Sequence, residues 1–271
     1  HLEAIDNLEE SLKRAKEAGV GKIITIGTSI NSSKKAIEIA DSTSLKLRGA
    51  KENFPEIFAT CGLHPKDAKS ELDKQSLSQC IDTLKQLAVS SGKVVGVGEA
   101  GLDYYVESSG QRPVTGNQEK EFQKKLFAAQ IDLAIDLNLP LVIHCRNAWD
   151  EIFDLMEAKR GPSSFSGVFH SFTGNWQAAQ KALDLSFYIS FSGIVTFENA
   201  PEIQEVAKKM PLGRMLIETD SPFLSPEPHR GMTNEPKNVR IIAEFLAHLR
   251  SQPINKIIGA NADNAKRLFG I

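Results

Sequence analysis

The sequence predicts an α/β chain folded as one (β/α)8 barrel of the TIM type, an expectation that rests on three observations. Short β-branched runs alternate with amphipathic stretches, the pattern of βαβ units joined in a parallel sheet. Roughly seven such runs precede a closing helix, close to the count of an eight-stranded barrel. Glu99, His144, His170 and Asp220 each fall at the carboxyl end of a run. A closed ring brings such ends to one mouth, whereas a doubly wound open sheet, the alternative, strings them out in a row.

From Asn7 to Ala18 the apolar residues Leu8, Leu12 and Ala15 recur at helical spacing, with Gly19 as a C-cap. Lys22–Gly27 reads as the first strand, Ser32–Ala40 as a helix, and Asn53–Pro55 as a break. Ile57–Gly62 is a second strand, ending at Leu63-His64-Pro65. A helix over Leu77–Ala88 leads into VVGVGEAGLDYY, Val94–Tyr105, where a β-branched run stops at Gly98-Glu99-Ala100-Gly101 and presents Glu99 at a strand end. The stretch 106–117 contains Gly and Pro but few apolar residues, and reads either as a lid over the mouth or as a plain surface loop. Gln118–Leu137 is a long amphipathic helix before the strand Leu141–His144. Trp149–Ala158 is helical, Ser166–His170 a strand, Trp176–Leu183 a helix, Phe187–Phe191 a strand and Pro201–Lys208 a helix. The last strand, Arg214–Asp220, ends in a carboxylate.

A chain of 271 residues, 41% hydrophobic and 24% charged, can bury a full core, and residues 1–271 read as one domain without repeat or linker. No window approaches the ~20 apolar residues of a membrane span. The N-terminus lacks the basic and apolar regions of a signal peptide. Three cysteines, Cys61, Cys80 and Cys145, without CxxC spacing, suit a reducing compartment and core packing. A net charge of −2 offers no general attraction to polyanions, so a nucleic acid must be held by a local site; this weighs against a duplex-coating protein.

Histidine and carboxylate together, with no thiolate, are ligands for divalent Zn²⁺, Mn²⁺ or Mg²⁺ and point to a catalytic rather than a structural site. Strand alternation places His144 on one face with Val142 and Arg146, and turns Cys145 toward the helices. His229 and His248 read as surface residues.

Six segments then carry a resemblance: GLHP at Gly62–Pro65, GEAGLDYY at Gly98–Tyr105, LNLPLVIHCR at Leu137–Arg146, FHSFTG at Phe169–Gly174, ETDSPFL at Glu218–Leu224 and RGMTNEP at Arg230–Pro236. Over nearly its whole length the chain resembles the TatD family of metal-dependent deoxyribonucleases, within the amidohydrolase-like barrels. That family opens on an HxH pair at the end of a first strand. His1 corresponds to the second His, and the first His and its strand are not in this sequence. The expectation is a truncated barrel lacking its first strand, with Lys22–Ile26 and the final strand as unpaired edges at the seam.

The resemblance implies two divalent metal ions (Mg²⁺, Mn²⁺ or Zn²⁺) bridged by Glu99, with His1 and Asp220 on one and His144 and His170 on the other. It implies Asp220 as the base, with Glu99 the second residue essential to catalysis. His64, Arg146 and, in the loop after the last strand, Arg230 would be phosphate contacts, His64 set against a bland reading as a turn histidine and Arg146 against one as a structural ion pair. The activity implied is trimming of DNA ends, 3′ to 5′ on single strands, and the keywords are those of a nuclease in DNA degradation and repair. The partner implied is DNA, with no membrane, for a monomer located in the cytoplasm or, in a eukaryote, the nucleus. An ester or amide hydrolase such as a D-aminoacyl-tRNA deacylase, and a weakly catalytic nucleic-acid-binding barrel, remain alternatives on the same fold.

Overall fold

The computed structural model describes residues 1–46, 53–104, 116–160 and 165–271. Seven strands, β1 (Lys22–Thr25), β2 (Glu56–Cys61), β3 (Val94–Asp103), β4 (Leu141–Arg146), β5 (Gly167–Phe169), β6 (Tyr188–Phe191) and β7 (Met215–Ile217), pair in chain order, each parallel to the next. The helices are α1 (Leu8–Glu17), α2 (Ile30–Lys46), α3 (Ala68–Leu72), α4 (Leu77–Ser90), α5 (Asn117–Leu137), α6 (Trp149–Lys159), α7 (Trp176–Asp184), α8 (Pro201–Lys209), α9 (Val239–Leu249) and α10 (Ile254–Phe269). The sheet curls as a barrel does, but holds seven strands among the described residues. β1 and β7 each have a single neighbour and form the two edges of a seam, as expected. None of the described helices is long and apolar enough to cross a membrane.

Alternation along the strands separates two layers of core. Ile143, Cys145, Phe169 and Ile189 join the large core beneath the helices, whereas Val142, Val168, Tyr188 and Leu216 form a smaller inner cluster with Ile26, Ala265 and Phe269. Side chains such as Ile143 and Phe169, with no exposed surface, each contribute about 1.5–3 kcal/mol. At the seam a cavity of about 570 Å³ runs between the edges, lined by Ile24, Ile26, Val142, Leu216 and Phe269, and it reaches Glu99, His170 and Asp220.

Two strand ends depart from the sequence reading. β3 does not stop at Gly98: its pairing with β4 slips between Val97 and Ala100, after which the ladder resumes through Asp103, opposite Arg146. β7 ends at Ile217, and Asp220 lies three residues beyond in a left-handed conformation, φ 57°. Of the stretch 106–117, only Gly116, the N-cap of α5, and Asn117, its first residue, are described; the rest of the expected lid lies outside the described residues.

Candidate metal centre and active site

The centre is built around Glu99, whose position the slip in β3 sets. The backbone there is held from two sides: the Thr60 hydroxyl donates to the Gly98 carbonyl at 2.6 Å, and the Glu99 N–H donates to the Gly27 carbonyl at 2.8 Å. The Gly98–Glu99 peptide is cis. Gly62 is required by close approach, because a Cβ there would lie 2.5 Å from the Gly98 carbonyl carbon. Glu99 is 4% exposed. Burial pushes its carboxyl up, but the field of His170 and hydrogen bonds from His144 and His170 outweigh this and hold it well below the usual range.

Four histidines converge on that carboxylate. Oε1 lies 2.8 Å from His170 Nε2, 2.9 Å from His144 Nδ1 and 3.4 Å from His64 Nε2, and Oε2 lies 4.0 Å from His1 Nε2. What stands behind each ring decides what it offers in front. Behind His144, Asp103 Oδ2 takes Nε2 at 3.2 Å. Behind His170, Glu218 Oε1 takes Nδ1 at 3.2 Å and also the Ser171 N–H at 2.6 Å. Behind His1, Glu3 Oε1 lies 3.8 Å from Nδ1. A rear carboxylate keeps the proton on its own side, leaving the inner nitrogen's lone pair for a cation. His64 is the reverse: its Nδ1 accepts the Lys66 N–H at 3.2 Å, so the proton sits on Nε2 and the ring presents a donor to the centre.

His144 and His170 are raised in the absence of a cation. Burial opposes this, but the bonds of His144 to Asp103 and Glu99, and for His170 the charge of Glu99 with the bond to Glu218, prevail. The His144 Nδ1 and His170 Nε2 atoms stand 3.3 Å apart, close enough that a single cation relieves both. Burial pushes His64 down to about 4, keeping it neutral. Burial likewise pushes Asp220 up to about 6, so it ionises just below neutrality and feels the charges of His170, Glu218, Glu99 and His1. Glu99, Asp103, Glu218 and Asp220 thus gather around the histidines, with Lys66 3.1 Å from Asp103, and in the metal-free protein the protons held on His144 and His170 offset part of their charge. Imidazole nitrogen with carboxylate oxygen and no thiolate fits a divalent cation, and Glu99 Oε1, His144 Nδ1 and His170 Nε2 lie within 3.3 Å of one another; His64 falls in the same group, within 4.8 Å of Glu99 and His144, with its Nε2 proton turned inward.

The structure therefore gathers His1, His64, Glu99, His144, His170 and Asp220, all expected from sequence. Arg146 ends β4 on the mouth side and is exposed. Arg230 lies in the loop after β7, its guanidinium 4.2 Å over the Phe197 ring and 3.9 Å from Glu227. His248 is exposed and His229 half-buried. Sequence reasoning missed Asp103 and Glu218. Neither followed from period-two alternation: the ladder slips ahead of Asp103, and Glu218 and Asp220 lie beyond the end of β7; the signal available was that both acids sit inside the quoted GEAGLDYY and ETDSPFL segments.

A parallel α/β barrel sheet with a histidine–carboxylate centre at the carboxyl ends of its strands defines a class, the metal-dependent hydrolases. Residues 1–270 match the profile of the family described as TatD related DNase, and the chain belongs to that family. It is 37% identical over 265 residues to the "Uncharacterized metal-dependent hydrolase YabD" of Bacillus subtilis (strain 168), spanning 98% of this chain and 93% of that protein. Among solved structures, the TatD homolog YjjV of Escherichia coli K12 superposes with a TM-score of 0.80 at 30% identity, covering 97% of this chain and 92% of that one. A TatD family hydrolase of Entamoeba histolytica also gives 0.80, at 24% identity over 97% and 89% of the two chains, and shows the fold alone.

Proposed function

We propose that this protein is a divalent-metal-dependent deoxyribonuclease that shortens single-stranded DNA from its 3′ end. The observation that carries the proposal is the convergence of three ring nitrogens within 3.4 Å of one buried carboxylate oxygen, Glu99 Oε1, at an open mouth. The family's description as DNases supports the choice of substrate. Glu99 would be shared by two cations, His1 and Asp220 completing one site and His144 and His170 the other. When bound, the cations supply positive charge that draws in the scissile phosphate and acidifies water. Asp220, which a bound cation beside it keeps ionised, takes the proton from the attacking water and fixes its orientation. His64, neutral and carrying its proton on Nε2, donates to a phosphate oxygen or to the leaving 3′ oxygen. Arg146 and Arg230 hold neighbouring phosphates.

The test is a single-stranded oligonucleotide labelled at its 5′ end, incubated with the protein and Mg²⁺, Mn²⁺ or Zn²⁺. A ladder shortening one nucleotide at a time, absent for Glu99→Ala and Glu99→Gln, is expected. Intact DNA under all three metals, with hydrolysis of an aminoacyl ester or amide instead, would move the protein to the alternative hydrolase reading.

A further inference from the structure

The loop after β7 carries two of the exposed large apolar side chains found among the described residues, Phe223 at 57% and Met232 at 65%. Phe223 is the exposed aromatic of that set, since the other described Phe, Tyr and Trp side chains are buried or half-buried. Its backbone is not loose. Asn234, with no exposed surface, donates to the Thr219 carbonyl at 2.7 Å and the Phe223 carbonyl at 2.6 Å, and its own N–H donates to the Pro222 carbonyl at 3.0 Å. The Phe223 N–H closes back onto the Asp220 carbonyl at 2.9 Å. Next along the loop, Glu235 is pinned to Arg14 of α1 at 2.8 Å. The fold thus spends a buried asparagine and a cross-element ion pair on holding an apolar ring in water. That ring stands beside the centre, 5.9 Å between centroids from His1 and at 68° to it.

We propose that Phe223 is a nucleobase subsite, on which the base next to the scissile phosphate stacks while the phosphate lies at the Glu99 centre. This rests on the reading of the protein as a DNA hydrolase and adds what it grips. One ring face is far too small for a protein interface, which needs on the order of 1,000 Å², but it matches a single base, and stacking on an aromatic tolerates any sequence. Arg230 in the same loop supplies positive charge for the backbone. The side chain therefore confers a preference for unpaired ends, because a base still stacked within a duplex cannot lie on it.

The experiment measures, with Mg²⁺ present, binding of a single-stranded oligonucleotide that carries 2-aminopurine as its 3′-terminal base and a methylene in place of the scissile 3′ oxygen so that nothing is cleaved, and then KM and kcat on the cleavable oligonucleotide. Quenching of the fluorophore by the wild type is expected. Phe223→Ala should weaken binding and raise KM by roughly 5- to 100-fold, with metal content and melting temperature unchanged, and Phe223→Tyr should restore both. An oligonucleotide abasic at the terminal positions should bind wild type and Phe223→Ala alike. If the wild type cleaves DNA but Phe223→Ala binds and turns over normally, the subsite is wrong and the nuclease reading stands. If the wild type neither binds nor cleaves DNA, both fall.

Discussion

A carboxylate behind three of the four inward-facing histidines gives the centre a signature that can be measured residue by residue. Asp103→Asn and Glu218→Gln remove the charge that sets the tautomers of His144 and His170 while keeping size and shape. Each is expected to lower divalent-metal affinity about 10- to 100-fold, seen by metal titration, with the circular dichroism of the wild type retained; unchanged affinity in both would show that the rear carboxylates do not set the ligands. Asp220 gives a pH signature in the metal-free protein. Its folded carboxyl sits at about 6, above the unfolded value, so the stability it contributes is fully present below about pH 4 and is lost as the pH rises through about 6. Asp220→Asn should therefore stabilise the metal-free chain by about 1–3 kcal/mol at pH 8 and by nothing near pH 4. Urea unfolding in EDTA at the two pH values checks this, and an equal gain at both would rule out burial of the charge as the cause.

At the scale of elements, α5 is what aligns two of the mouth's strands. Gln123 and Gln130, both buried, lie seven residues and so two turns apart on one face. Gln130 accepts the Leu63 N–H at 2.8 Å and donates to the Leu63 carbonyl at 2.9 Å, next to His64. Gln123 does the same to Asp103, at 2.9 and 3.2 Å. Gln130→Leu strands two buried backbone groups, at about 2–5 kcal/mol together. It should slow catalysis through His64 yet leave metal binding intact, since His64 presents a donor; loss of metal in this variant would make His64 a ligand instead. The strands and their polar ends were legible because β-branched runs and period-two alternation are local signals. The slip between Val97 and Ala100, the reach of β3 to Asp103 and the two glutamine clamps were not, because each is set by a partner far away in the chain: β4 for the slip, and strand ends facing α5 for the clamps. Glutamines on an apolar helix face among Leu126, Phe127 and Ile131 were the available hint.

For the whole molecule, histidines that hold protons against buried carboxylates in the metal-free protein mark a centre that divalent cations complete by displacing those protons. Divalent metal at 100 times its dissociation constant should stabilise the chain by about 2.7 kcal/mol, read as a rise in melting temperature that EDTA reverses. Because His144 and His170 hold extra protons in the metal-free protein, binding should release protons, visible as a calorimetric enthalpy that changes with the ionisation heat of the buffer. A melting temperature indifferent to metal would sink this account. The strand order has a further consequence. Each strand pairs with the one made just before it, so on the ribosome the sheet extends from one edge to the other as synthesis proceeds. Glu99 and His64 meet early, but Asp220 and the loop carrying Phe223 emerge only after four-fifths of the chain has been made. Chains stalled before Arg214 should therefore hold neither Asp220 nor Phe223. The order of synthesis thus leaves for last the residues that the centre cannot do without, so a partly made sheet holds its buried carboxylate and histidines with the final acid still to come.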